Sequence, residues 1–135
     1  MNWLFPFWLL LAPPPAQADL VRQARQSLVR AEQAATQSGE ACKSTDYDKC
    51  NTLLTEVQEA VEKAKDSLDK TGLNPARSPR HFKDAEIRTR KILKLLRAVV
   101  SYIHPDDRPR FDTAVGRVSD INDQLLSSIM EKKRK

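Results

Sequence analysis

Apolar residues recur at intervals of three or four along most of this chain, which is the period of an amphipathic α-helix. Strand-like alternation is absent, and breaks after Ser38, after Gly72 and after His104 divide the pattern. The pattern predicts four helices, over about Asp19–Ser38, Asp46–Lys70, Pro79–Ile103 and Asp107–Glu131. Because the connections are short, we expect an all-α protein: an antiparallel up-and-down four-helix bundle.

The predicted helices differ in the size and width of their apolar faces. The face of the first is rich in alanine, so we expect it to pack closely but to bury little apolar area. The third has an apolar arc that covers about half of the helix, which is wider than contact with two neighbours requires. Either this helix is the most enclosed of the four, or Leu93, Val100 or Tyr102 stays partly exposed for self-association or a partner helix.

Asn122 interrupts the apolar stripe of the fourth helix. A polar residue in such a position typically fixes the register of neighbouring helices and needs a hydrogen-bond partner. Two further residues mark helix ends: Asp46 is suited to cap the start of the second helix, and Gly72 to close it in a left-handed turn.

The first eighteen residues have a different composition. The run Trp3–Leu11 is apolar, three prolines follow, and Ala16 and Ala18 form a small-x-small site. This pattern predicts a secretory signal peptide over residues 1–18, cleaved after Ala18. We therefore expect a periplasmic or secreted protein, with one helical domain over residues 19–135 and a short basic C-terminal tail. A membrane anchor is the weaker alternative, because a spanning helix needs about 20 apolar residues.

Two cysteines, Cys42 and Cys50, lie around the first turn between helices. An even number of cysteines in an exported chain predicts a disulfide, which here joins the first helix to the second. A redox or zinc site is the alternative. The spacing is not CxxC, however, and two sulfurs without a nearby histidine make a poor zinc site.

The net charge of +5 is unevenly distributed. Residues 19–76 carry eight Lys and Arg against ten Asp and Glu, whereas residues 77–135 carry fifteen against eight. The basic residues that we expect to bind a partner are Arg90, Lys94 and Arg97 on the third helix and Lys132, Lys133, Arg134 and Lys135 in the tail. Such a face suits an acidic protein or an anionic component of the cell envelope. The alternative is a solvated face, partly neutralised by the acidic second helix.

Catalytic and cofactor motifs are absent from the sequence, so we expect a binding protein rather than an enzyme, with no cofactor. Nucleic acid is an improbable ligand because basic residues are not interleaved with aromatic residues for base stacking. Two other functions remain open. His81 and Met130 would lie near each other in an antiparallel bundle and are one way to ligate haem. The third helix would also suit a structural oligomer.

Overall fold

The computed structural model describes residues 16–131, and all of their regular structure is helical. Four α-helices follow one another along the chain: α1 (Gln17–Lys43), α2 (Tyr47–Lys70), α3 (Arg80–Tyr102) and α4 (Pro109–Met130). A short 3-10 turn, Pro105–Asp107, precedes α4. The predicted all-α, four-helix architecture, packed mostly antiparallel, is confirmed. Residues 1–15 of the predicted signal peptide and the tail Lys132–Lys135 lie outside the described residues.

The order of the helices around the bundle differs from the simple up-and-down arrangement. Successive helices run in opposite directions, and α1 packs against α2 as α3 packs against α4. The two hairpins then stack with α1 beside α3 and α2 beside α4, whereas α2 and α3 barely touch. The segment 71–79 therefore crosses the end of the bundle diagonally. Ion pairs show that α1 and α3 are parallel, since Arg25 pairs with Asp84 and Glu32 with Arg88.

One continuous apolar core lies between the four helices. The largest wholly buried side chains come from all of them, and Phe82 of α3 and Phe111 of α4 are the only aromatic rings among these. The remainder is aliphatic, as the composition predicts. Alanines on the inner face of α1 allow the close packing of α1 on α2: Ala24, Ala31, Ala34 and Ala35 are buried.

Helix α1 continues past the predicted break at Ser38 to Lys43. Gly39 is buried inside it rather than ending it, because α3 approaches here so closely that a side chain has no room. A Cβ placed on Gly39 would lie 2.6 Å from Cγ2 of Val99 and 2.7 Å from the hydroxyl of Tyr102. The glycine therefore marks a helix contact, which outweighs its low helix propensity.

The turn between α1 and α2 has the predicted features. Cys42 and Cys50 form a disulfide with Cα atoms 5.3 Å apart, and both residues are buried. The side chain of Asp46 accepts a hydrogen bond from the backbone N–H of Lys49 at 3.2 Å, as a helix N-cap does. Gly72 adopts a left-handed conformation after α2, with φ of 74°. The disulfide thus joins the end of α1 to the first turn of α2.

At the disulfide end of the bundle, α2 is held to the start of α4. The guanidinium of Arg110 lies 4.3 Å from the centroid of the Tyr47 ring, and its Nη1 donates a hydrogen bond to the side chain of Asn51. The Tyr47 hydroxyl lies 3.4 Å from a carboxylate oxygen of Asp107. These contacts join the two hairpins where the chain turns from α3 into α4.

Candidate functional site

The outward face of α3 carries a row of long side chains at helical spacing. We call Lys83, Ile87, Arg90, Lys94 and Arg97 the outer stripe; all five are exposed. Successive members are three or four residues apart, so they lie above one another along one side of the helix. The structure therefore places the predicted binding residues Arg90, Lys94 and Arg97 together and adds Lys83 to them.

Ion pairing divides the basic residues of α3 into two groups. Arg88 and Lys91 face α1, where both lie within 3.9 Å of the carboxylate of Glu32. Within residues 16–131, no carboxylate lies within ion-pair distance of Lys83, Lys94 or Arg97. Lys83, Lys94 and Arg97 of the outer stripe thus have no ion-pair partner among the described residues, whereas Arg90 pairs with Glu86.

The alternative interpretation, in which the acidic second helix partly neutralises α3, has no support in the ion pairs of the described residues. Because α2 lies diagonally across the bundle from α3, its carboxylates reach other partners. Glu62 pairs with Arg117 of α4, and Asp69 pairs with Lys65 on α2 itself. The compensation of α3 comes instead from Glu32 of α1 and from two of its own carboxylates.

A cleft of about 400 Å³ lies beside the outer stripe, between the start of α3 and the end of α4. Its polar lining is Lys83, Glu86 and Arg90, and its apolar lining is Ala76, Pro79, Ile87, Leu126, Ile129 and Met130. The two helices meet here as antiparallel walls, and among the described lining residues the basic groups, Lys83 and Arg90, stand on the α3 side. An apolar groove with charge on one edge is suited to an amphipathic ligand.

The cleft gathers most of the large apolar side chains that the described surface exposes. Five such residues are exposed in residues 16–131, and three of them line the cleft: Ile87 (56%), Leu126 (42%) and Met130 (43%). Sequence reasoning missed Ile87 and Leu126 because each helix was assigned one apolar face, turned to the core. The available signal was Leu126 and Met130, four residues apart and beside the main stripe of α4.

A buried polar cluster lies under the rim of the cleft. Asn122 of α4, predicted to fix the helix register, directs its side-chain amide at two residues of α3. The amide nitrogen lies 3.0 Å from Oε2 of Glu86 and 2.7 Å from the hydroxyl of Thr89. The other carboxylate oxygen of Glu86 accepts a 2.9 Å hydrogen bond from Arg90. Glu86 thereby links the interior to Arg90 and positions that guanidinium at the rim.

The two residues considered for haem ligation line different hollows. Met130 belongs to the cleft between α3 and α4, whereas His81 lines a small hollow with Val21 and Leu28 of α1. Among residues 16–131, no group of three or more His, Cys, Asp or Glu side chains is placed to hold a metal ion. His104 accepts a hydrogen bond at Nδ1 from the backbone N–H of Asp106 and caps the 3-10 turn.

The wide apolar arc of α3 is only partly enclosed. Leu93 is buried, Val100 is half-buried and Tyr102 is exposed. The ring of Tyr102 covers Gly39 and lies 5.8 Å from the ammonium nitrogen of Lys43. The prediction of partial exposure is therefore wrong for Leu93 and holds for Val100 and Tyr102, and Ile87 is a further exposed apolar residue of α3.

None of the helices that the structure describes is long and apolar enough to cross a membrane.

No protein-family model, curated protein or solved structure matches this chain.

Proposed function

We propose that this protein is an exported binding module that docks an acidic partner protein on the outer stripe of α3. The observation that carries the proposal is the exposure of Lys94 and Arg97 without a carboxylate partner among the described residues. A cation that is paired within a fold has part of its charge compensated, so it attracts a ligand less strongly than an unpaired one does. Cations that remain unpaired in a row attract a ligand with carboxylates at matching spacing.

Electrostatic arithmetic favours a partner that engages several members of the stripe together. One exposed ion pair contributes about 0.2–1 kcal/mol, so a single contact is too weak for stable binding. Four cations on one helix face, Lys83, Arg90, Lys94 and Arg97, act jointly and speed the encounter with an acidic surface. Binding through them weakens with salt, because screening extends over only about 8 Å at physiological ionic strength.

The C-terminal tail adds to this surface through its position in the chain. Lys132–Lys135 follow directly after Glu131, the residue next to Met130 of the cleft. Met130 and Lys83 line the same cleft, and the four basic residues follow Met130 and Glu131 in the sequence. We include them in the proposed binding surface on the basis of their sequence.

Export is part of the same proposal. The apolar segment Trp3–Leu11 and the small residues Ala16 and Ala18 have the pattern of a cleaved leader. The Cys42–Cys50 disulfide supports an oxidising compartment, since disulfides persist there and are rare in the cytosol. A partner in the periplasm or outside the cell, such as an acidic envelope protein, is consistent with both features.

The test is binding of a fluorescent, flexible peptide of alternating Glu and Gly, followed by anisotropy at about 20 mM and about 500 mM salt. We expect binding at low salt only, and its loss in the double variant Lys94→Glu/Arg97→Glu. The control is Arg30→Glu/Lys63→Glu, which changes the net charge equally on exposed positions of α1 and α2. Equal loss of binding in both double variants would contradict the assignment to α3.

A further inference from the structure

We infer that the partner segment is an amphipathic α-helix, whose apolar face enters the cleft and whose carboxylates lie along the outer stripe. This inference rests on the proposed function and specifies the ligand of the same surface. The evidence is the combination of an apolar groove with a basic edge that extends beyond it.

The shape of the cleft suits a helix. Its walls are two antiparallel helices, and each contributes exposed apolar side chains: Ile87 from α3, and Leu126 and Met130 from α4. Two such rows leave a groove into which the side-chain ridge of a further helix packs. Apolar anchors at i, i+3, i+4 and i+7 are the usual way in which a helix occupies such a groove. Met130 adds an adaptable side chain to the floor.

The charges indicate the length and orientation of the ligand's polar side. Lys83 and Arg90 stand at the cleft, whereas Lys94 and Arg97 continue along α3 beyond it. The fifteen residues from Lys83 to Arg97 span about 21 Å of helix, because fourteen steps of about 1.5 Å separate the first residue from the last. A small molecule in the cleft would leave the far half of the stripe uncontacted. A helix of four turns, with Glu or Asp every three or four residues on one flank, contacts all of it.

The edge of the cleft is fixed in advance of binding. Arg90 is bonded to Glu86, whose second carboxylate oxygen is held by the buried Asn122. This arrangement restricts the guanidinium and reduces the entropy that ordering it on binding would cost. Arg90 can still donate from its other N–H groups to a ligand carboxylate.

A second copy of the chain does not supply the complementary surface. The large apolar residues exposed within residues 16–131 are Val29, Ile87, Tyr102, Leu126 and Met130. None of them lies on α2, the helix with the most carboxylates, and the exposed apolar residues next to Asp123 on α4, Leu126 and Met130, already form one wall of the cleft. A second copy would have to bury that same wall in order to enter the cleft. The occupant is therefore a different protein.

The probe is a designed peptide of about 18 residues, with Leu at helical three-four spacing and Glu on one flank of that face. The matched control peptide has the same composition in a scrambled order that destroys the amphipathic face. Both are titrated into the purified, oxidised protein and followed by anisotropy, and peptide helicity is followed by circular dichroism. We expect the amphipathic peptide to bind about tenfold more tightly than the scrambled one, and to become helical on binding.

Variants of the protein distinguish the contribution of the apolar cleft to peptide binding from that of the basic residues. Ile87→Gln/Leu126→Gln replaces two exposed side chains, so the core stays intact. We expect this variant to lose the tenfold preference for the amphipathic peptide over the scrambled one. Its affinity for the scrambled peptide should be unchanged. Val29→Gln, an exposed apolar position on α1, is the matched control and keeps the preference. Lys94→Glu/Arg97→Glu weakens binding of both peptides. Thermal melts of all variants check that they fold.

The contrary outcomes are distinct. Equal affinity for the two peptides overturns the amphipathic helix and leaves the acidic partner standing. Absence of binding to either peptide at low salt overturns both proposals. Binding to vesicles of anionic phospholipid, with no preference between the peptides, overturns the helical ligand in favour of a membrane surface.

Discussion

Asn122 of α4 donates a 2.7 Å hydrogen bond from its side-chain amide to the hydroxyl of Thr89 in α3, in the interior between the two helices. The same nitrogen lies 2.9 Å from the backbone carbonyl oxygen of Glu86 and 3.0 Å from its carboxylate. One amide nitrogen, with its two N–H donors, thus lies within hydrogen-bond distance of three acceptors on one turn of α3. A shift of α4 by one residue along α3 would break these three contacts and leave Oε2 of Glu86 without its donor.

Asn122→Leu should therefore destabilise the protein. Leucine has the same number of side-chain heavy atoms and the same branching as asparagine but no donor, so the buried oxygen Oε2 of Glu86 loses the hydrogen bond from Asn122. We expect the free energy of unfolding to fall by about 1–3 kcal/mol, measured by urea denaturation. The control is Gln124→Leu, the same loss of an amide at an exposed position of α4, with an effect within about 0.5 kcal/mol. Equal stability of Asn122→Leu and the parent would show that the cluster is not stabilising.

The two helical glycines, Gly39 and Gly116, should respond to alanine with opposite signs. Gly39→Ala places a methyl group against Val99, whose short, buried side chain has little freedom to move, and overpacking costs about 1–3 kcal/mol. A Cβ on Gly116 meets nothing within 4 Å, so Gly116→Ala should stabilise α4 by about 0.5–1 kcal/mol. Melting temperatures of both variants provide the test.

A second substitution checks the cause of the Gly39 effect. Val99→Ala creates space opposite Gly39. The loss of stability that Val99→Ala causes should therefore be smaller in the Gly39→Ala protein than in the parent protein. Additive effects in the double variant would mean that α1 and α3 are not in steric contact at this point.

Removal of the disulfide should lower stability without changing the fold. Cys42→Ala/Cys50→Ala opens a short loop, for which the chain-entropy model gives about 2–3 kcal/mol. Urea denaturation of this variant should match that of the parent protein under reductant. Unfolding of the parent that is insensitive to reductant would show that the bridge contributes nothing.

Cleavage of the predicted signal peptide after Ala18 would give a mature protein of defined mass. Expression of the full chain in a secreting host should give an exported protein that begins at Asp19, identified by intact-mass spectrometry. In that form Gln17, which bonds the backbone carbonyl of Thr71, is absent, and α1 begins two residues later. Ala18→Arg, which puts a large charged residue at the cleavage position, should retain the leader. An exported product that still contains Met1 would contradict cleavage.

Local patterns predicted the features that depend on local physics. Apolar spacing placed four helices, Asp46 and Gly72 were identified as their end signals, and two neighbouring cysteines indicated a bridge. Arg90, Lys94 and Arg97 were placed on one face because helix geometry alone determines that relationship. Each of these features is decided within a few turns of the chain.

Non-local contacts explain what the sequence did not reveal. Gly39 looks like a helix end, and only the approach of Val99 explains why it lies inside α1. The diagonal placement of α2 and α3 depends on how two hairpins stack, which no local pattern specifies. The cleft was missed for the same reason: Ile87 and Leu126 belong to different helices and form one surface only after those helices pair.

Within each hairpin, a different interaction fixes the alignment of the two helices. The Cys42–Cys50 bridge ties α1 to α2, and Asn122 with its acceptors ties α4 to α3. Between the hairpins, the alignment depends on core packing and on polar contacts such as that of Arg110 with Asn51. Nearly all of the cleft wall belongs to the α3–α4 hairpin and the segment just before it. A rigid-body movement of one hairpin relative to the other would therefore change the orientation of the cleft but not its shape. Substitutions that alter the packing between the hairpins should consequently leave the ligand specificity of the cleft unchanged.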